Sequence, residues 1–401
     1  MLKRLRHIQL PLLNESSYIT DYIIAGLGLR KVVESIGSGL VRINSENPPG
    51  RESDAARYFA ERAAELGLKA RVIDHGEGRA SALVDLIFGD GPVLVFNSHL
   101  DTVPVGPIER WSFHPFSTGV SDGYLCGRGS VDAKGVLAAM LAAVSTLRSE
   151  RFVGRVVLMA VADEEVSGLG SLSLIKLLDR VDYMVVGEPT SLKICVASRG
   201  RTEVSVNFYG RPAHASKPLE GVNAVTASAR ACVKLAQLEK GFGKRHRYMG
   251  RSSAAVTVMR GGLKPNVIPD SSNIVIDVRT TVEKPADTLR FIKQFIKPAL
   301  PRKAFFEATI TSHIPPYMTK LGGTLVNACQ QACRAAGVKP VLAGFDAATD
   351  LNRVHKVRPV EGIIIGPGDL RLAHSFREKV AVKELVKAAT IYKTLAEQIL
   401  S

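Results

Sequence analysis

The 401-residue chain carries 53 Lys and Arg against 38 Asp and Glu, a formal charge of +15, with 46% hydrophobic and 6% aromatic residues. That size and apolar share suit two or three globular domains, and no apolar run reaches the roughly 18 residues of a membrane-spanning helix, so an integral membrane protein is excluded. The basic charge is spread along the chain apart from KGFGKRHRYMGR at 240–251, which reads as a solvated loop; without a zinc-finger, RNA-recognition or helix-turn-helix pattern, nucleic acid is not an expected partner.

The opening MLKRLRHIQLPLLNESSYITDY starts basic, but its apolar part is short, contains Pro11 and leads to no small-residue cleavage site. No secretory signal is expected, and the chain reads as cytoplasmic. Next, DAARYFAERAAELG (54–67) has helical spacing, ARVIDH (70–75) and SALVDLIFG (81–89) read as strands, and GPVLVFNSHLD (91–101) is a near-continuous apolar strand suited to a sheet covered on both faces. An Ala-rich helix at 132–149 is followed by the strand GRVVLMAVA (154–162), the helix SLSLIKLLDR (171–180) and the strand VDYMVVG (181–187). The alternation predicts an α/β domain, a central sheet flanked by helices.

Near Cys195 the texture changes. Strand, helix, two strands, helix and strand follow at 202–210, 222–239, 252–261, 272–282, 286–300 and 303–312. This β-α-β-β-α-β order is ferredoxin-like. After IPPY (314–317) α/β texture resumes, with a helix at 324–337, the strand GIIIGPG (362–368) and a C-terminal helix at 382–400. The expected division is a catalytic domain over 1–194 and 314–401, interrupted by a smaller domain over 195–313. The five cysteines form no Cys-x-x-Cys, so neither a disulfide framework nor a thiolate zinc site is indicated.

Chemistry gathers where the apolar strands end. LVFNSHLD ends on His99 and Asp101, VVLMAVADEE on Asp163, Glu164 and Glu165, and YMVVGEPT on Glu188, while GIIIGPGDLRLAH leads to His374 and Asp132 opens the Ala-rich helix. In an open α/β sheet the functional crevice lies outside the carboxyl ends of the strands. Two His with carboxylates and no Cys favour zinc, with cobalt or manganese as substitutes. Five ligands, His99, Asp132, Glu165, Glu188 and His374, suit two ions sharing a bridging carboxylate. A further carboxylate such as Glu164 can take a proton from an activated water, and Asp101 can hold the other imidazole nitrogen of His99. Asp163 has no evident part beyond shaping the turn.

These motifs resemble the co-catalytic zinc amidohydrolases and peptidases that include acetylornithine deacetylase, succinyl-diaminopimelate desuccinylase, aminoacylase and glutamate carboxypeptidase. NSHLDTVPVG, GRGSVDAKG, ADEEVSG, VGEPT and GPGDLRLAHSFREKV carry the resemblance across roughly residues 33–400. It implies a zinc-peptidase-like catalytic domain with a mixed central sheet, interrupted by a ferredoxin-like lid and dimerisation domain. Two zinc ions per chain are implied, bridged by Asp132, with His99 and Glu188 completing one site and Glu165 and His374 the other; Glu164 is the general base and Asp101 orients His99. GRPAHASKPLEGVNAV implies that His214 stabilises the tetrahedral intermediate from the neighbouring subunit of a homodimer. GGLKPNVIPD and DVRTT make Asn266 and Arg279 substrate ligands. The implied activity is hydrolysis of a linear amide in an N-acyl amino acid, in amino-acid biosynthesis, with a carboxypeptidase or aminopeptidase as the alternative. The first 30 residues have no clear counterpart, and GFDAATDL (344–351) only loosely matches the family's glycine-rich substrate loop.

Overall fold

A computed structural model describes residues 7–8, 16–117, 119–148 and 151–401, and the chain within it divides into two compact units. One comprises 1–196, 319–343 and 349–401; the other comprises 197–318 and 344–348. The opening segment read for a secretory signal lies largely outside the described residues, as does the expected end of the Ala-rich helix at 149.

In the first unit, strand Val93–His99 is buried at every position and lies between Arg155–Val161 and Tyr183–Val186, both parallel to it. A strand hydrogen-bonded on both edges and covered on both faces has no polar side, which is why its sequence is continuously apolar. Beyond Arg155–Val161 come the antiparallel strands Arg79–Ile87 and Ala70–Gly76; beyond Tyr183–Val186 come the parallel Glu361–Ile364 and then the antiparallel Ile194–Ser198. The sheet is therefore mixed.

Helices flank it. Glu52–Glu65 packs on Arg79–Ile87, while Lys134–Val144 packs on Val93–His99 and against the helices Ser16–Arg42 and Val382–Leu400. All eleven residues of Lys134–Val144 are buried, including Lys134, whose ammonium donates to the Ile43 carbonyl at 2.6 Å. The close approach of this helix to the turn before it needs glycine: a Cβ on Gly135 would stand 2.2 Å from the Ser130 carbonyl oxygen. The helix expected over 171–180 is shorter, an α-helical Leu169–Leu174 followed by a 3-10 turn Ile175–Leu177. Two helices were not expected from periodicity, Ser16–Arg42 with its bend at Gly28 and Asp350–Val357.

The second unit holds an antiparallel sheet in the order Phe242–His246, Gly250–Gly261, Ser271–Thr280, Gly200–Tyr209 and Phe305–Ile314. Gly200–Tyr209 alternates buried and half-buried residues along its length. Val204, Val206, Phe208, Ile274, Ile276 and Val278 pack with Ala227, Ala231, Ile292 and Ile296 of the helices Ala224–Leu235 and Pro285–Ile296. The basic run departs from expectation: it is no simple loop, since Phe242–His246 pairs with Gly250–Gly261 as an edge strand. The one buried residue of the strand Phe242–His246 is Phe242, and Lys244 and Arg245 face solvent. Exposed cations on an edge discourage further strand addition, which accounts for a strand with a loop-like composition.

Candidate active site

The site is built in the first unit from five chain segments. His99 closes the central strand; its Nδ1 lies 2.9 Å from the main-chain carbonyl of Asp101 and 3.6 Å from that residue's carboxylate. The nearer partner that orients the ring is thus the backbone of Asp101. The Asp101 carboxylate is engaged elsewhere, accepting from the backbone N–H of Glu164 at 3.0 Å, that of Glu165 at 3.1 Å and Asn47 Nδ2 at 2.9 Å. It fixes the acidic turn to the end of the neighbouring strand.

Asp132 follows the turn at 127–131. The buried Glu378 accepts from the backbone N–H groups of Val131 at 3.0 Å and Asp132 at 3.2 Å, and from Arg128 Nη1 at 2.6 Å. Asp132 then presents one carboxylate oxygen to each imidazole: Oδ1 lies 2.9 Å from His99 Nε2, and Oδ2 lies 3.2 Å from His374 Nε2. His374 Nε2 is also 3.0 Å from Glu165 Oε1. Two sets of donor atoms lie within 4.8 Å of one another, His99 with Asp132 and Glu165, and His99 with Glu164 and Glu188.

The electrostatics are those of an acid-rich cluster. Burial, with Asp132 and Glu164 nearby, pushes the Glu188 carboxyl well above its ordinary range. Burial likewise lifts Glu164 to about 8, against the pull of Arg353. Burial also works to raise Asp132, yet its contacts with His374 and His99 outweigh that and hold it well below the usual carboxylate range. Hydrogen bonds to Asp132 and Glu165 raise His374 to about 10. His99 is raised too, burial being overcome by Asp101 and Asp132. Imidazole and carboxylate donors with a surplus of negative charge and no thiolate, buried at His99, Asp132 and Glu188 and exposed at His374, suit borderline divalent cations.

His214, Asn266 and Arg279 belong to the second unit. His214 is exposed on a short ribbon, Ala213–His214 paired with Val267–Ile268, and the Asn266 carbonyl accepts from the Ala215 N–H at 2.9 Å. The ribbon therefore brings His214 and Asn266 together. Arg279 is paired within its own strand, Nε lying 2.6 Å from Asp277 Oδ1.

Two further residues shape the site: Asp163, which the sequence reading gave only the shaping of the turn, and Arg353, which it passed over. Asp163, in the left-handed region at φ 67°, is held by Arg79, Asn47 and Ser167. It anchors the turn that carries Glu164 and Glu165. Arg353 Nη1 lies 2.8 Å from Glu164 Oε1, reaching it from the helix Asp350–Val357, which begins at the end of the GFDAATDL stretch. That helix did have a local signal, the capping box in which Thr349 and Asn352 satisfy each other's backbone N–H groups.

A mixed sheet flanked by helices, with acids and histidines converging at its strand ends, defines a metal-dependent amidohydrolase acting on C–N bonds. The chain belongs to peptidase family M20/M25/M40, whose sequence profile matches residues 95–398. It is 28% identical over 388 residues to a succinyl-diaminopimelate desuccinylase of Methylorubrum populi, covering 92% of this chain and 98% of that protein. It is also 28% identical over 375 residues to a putative [LysW]-lysine/[LysW]-ornithine hydrolase of Aeropyrum pernix, covering 93% and 96%. A dinuclear metal-binding M20 peptidase of Bacillus subtilis shares the fold, with a TM-score of 0.71 at 16% identity over 93% of this chain and 98% of that one. No helix among the described residues is long and apolar enough to cross a membrane.

Proposed function

We propose that this protein is a di-zinc deacylase that hydrolyses the linear amide of an N-acyl amino acid, as the named activity of its desuccinylase relatives suggests. The observation that carries the reading is Asp132, one carboxylate oxygen directed to each imidazole, the arrangement a bridging ligand requires. His99 and Glu188 would hold one ion and Glu165 and His374 the other; cobalt and manganese are substitutes. When bound, such ions polarise an amide carbonyl and acidify water.

The chain's own groups supply the proton transfers. Glu164 takes the proton of the attacking water and passes it to the leaving amine. Its Oε1 is held by Arg353, so Oε2 is the oxygen that works. His214 stabilises the developing oxyanion, a contribution of the kind worth about 3–4 kcal/mol per donor. Its Nδ1 is engaged by Ser216 Oγ at 2.8 Å, which leaves Nε2 for this role. Arg279 and Asn266 grip the substrate carboxylate; the pairing of Arg279 with Asp277 uses Nε and Nη2 and leaves Nη1 for the task. In this reading the second unit, residues 195–313 in the domain division read from the sequence, serves as lid and as the surface of a homodimer in which His214 reaches the partner's site. The reading includes a cytoplasmic location, in keeping with a sequence whose five cysteines show no disulfide framework.

The test is a hydrolysis panel of N-succinyl-diaminopimelate, N-acetylornithine, other N-acyl amino acids and dipeptides, with zinc, cobalt or manganese added. Cleavage of an N-acyl amino acid in preference to dipeptides is the expected result. Preference for dipeptides would move the protein to the peptidase branch, and inertness across the panel with both metals bound would remove the hydrolase reading.

A further inference from the structure

Asn97 sits inside the central strand, two residues before His99, with its side chain buried. Its Nδ2 donates to Ser171 Oγ at 2.6 Å, and Ser171 Oγ donates to Asp350 Oδ2 at 2.6 Å. Asp350 Oδ1 accepts from Arg353 Nη1 at 3.1 Å, and the same nitrogen donates to Glu164 Oε1 at 2.8 Å. Nη1 of a guanidinium bears two N–H groups, one for each carboxylate. The chain therefore runs without a gap from the floor of the sheet to Glu164. Asn97, Ser171 and Asp350 are buried, and the Arg353 and Glu164 side chains are only 11% and 12% exposed. Gly168 makes room for it, since a Cβ there would stand 2.4 Å from Arg353 Cδ and 2.9 Å from Asp350 Oδ1.

This fixture matters because of what else Glu164 is placed to do. A Glu164 donor atom lies within 4.8 Å of donor atoms of His99 and Glu188, a set with the makings of a metal site. A free carboxylate beside a divalent cation binds it, and a carboxylate bound as a ligand is a poor proton acceptor. One whose oxygen is tied to a guanidinium, itself tied to a buried aspartate, gives up a charge-assisted hydrogen bond when it turns toward the cation.

We propose that Arg353, clamped by Asp350, is a positioning residue that keeps Glu164 a base and prevents it from becoming an additional metal ligand. The proposal rests on the di-metal reading above, and it acts through Glu164 alone. Arginine suits the task because it stays protonated and its planar head meets both carboxylates.

The experiment uses the full chain loaded with cobalt(II), comparing wild type with Arg353→Met, Arg353→Lys, Asp350→Asn and the double variant Arg353→Met with Glu164→Gln. Three readouts are taken: metal content, the visible absorption of the cobalt, and kcat and KM on the best amide of the panel. Arg353→Met is expected to keep two ions per chain, to show weaker visible bands as the coordination number rises, and to lose about 10²-fold in kcat with KM within about twofold. Arg353→Lys should recover part of both properties. In the double variant the wild-type spectrum should return, because Gln is a far weaker ligand.

A wild-type spectrum and a kcat within about twofold of wild type in Arg353→Met overturn the proposal, as does a raised KM at unchanged kcat, which marks a substrate contact. Should Arg353→Met fail to fold, Arg353→Lys and Asp350→Asn decide it: altered bands with both ions retained support it, and unaltered bands overturn it. If wild type binds two ions and cleaves no amide, the hydrolase reading fails while the spectra still judge whether Arg353 restrains Glu164.

Discussion

Arg79 Nη1 lies 2.6 Å from Asp163 Oδ1, joining strand Arg79–Ile87 to the turn that bears Glu164 and Glu165. The same guanidinium reaches Glu52 Oε1 at 3.1 Å and Asn47 Oδ1 at 2.9 Å, and Asn47 Nδ2 bridges Asp163 and Asp101 at 2.9 Å each. Arg79→Met would leave two buried carboxylates without their cation, a loss of about 3–5 kcal/mol. Urea unfolding of the metal-free protein measures it. A loss below about 1 kcal/mol would show that the turn does not depend on this contact.

Glu52 supplies a pH test away from the metal ligands. Burial, with Asp101 close by, lifts its carboxyl to about 7 from an ordinary 4.5. The folded state therefore binds this proton more tightly than the unfolded state, and the Glu52 contribution to stability is lost as pH rises from about 4.5 to about 7. Glu52→Gln does not titrate. Its stability relative to wild type should improve across that window by up to about 3 kcal/mol and then level off. Unfolding at pH 5 and pH 8 checks the sign, and a relative loss at pH 8 would contradict it.

Base and ligands should separate cleanly. Glu164→Gln is expected to lower kcat by at least about 10²-fold with both ions retained. His374→Ala or Glu165→Ala should instead lower metal content toward one ion per chain. Elemental analysis beside kinetics distinguishes them; full occupancy in His374→Ala would remove that residue from the ligand set.

His214 allows a complementation test. His214→Ala should lose about 10²–10³-fold in kcat without losing metal. If His214 serves the partner's site, mixing and re-forming dimers from His214→Ala and Glu164→Gln chains should restore activity that neither possesses. Failure to recover in re-formed dimers would confine each site to one chain.

Much of the fold was legible because the strands obey simple patterns. Val93–His99 is apolar throughout because both its faces are covered, and Gly200–Tyr209 alternates because one face is not. The convergence of His99, Asp132 and His374 was legible because each falls where an apolar strand or its following turn ends. What escaped were relationships set by three-dimensional neighbours. The spacing of Asp101 from His99 does not say whether carbonyl or carboxylate meets the ring. Arg353 and Glu164 are 189 residues apart, and nothing local marks them as partners. Phe242–His246 was hidden by its charge, since an edge strand needs only Phe242 inside.

The first unit closes only after the chain has left it for residues 197–318 and returned. At ordinary rates of synthesis, roughly 10–40 s separate the emergence of Glu188 from that of His374. For nearly all of that interval Tyr183–Val186 has no Glu361–Ile364 beside it, and the Asp132 turn has no Glu378 to hold it. The nascent polypeptide thus presents a bare apolar sheet edge together with a half-assembled acidic cluster. Its demand for chaperone protection is written into the chain order, and truncated translation products of this protein should be prone to aggregate.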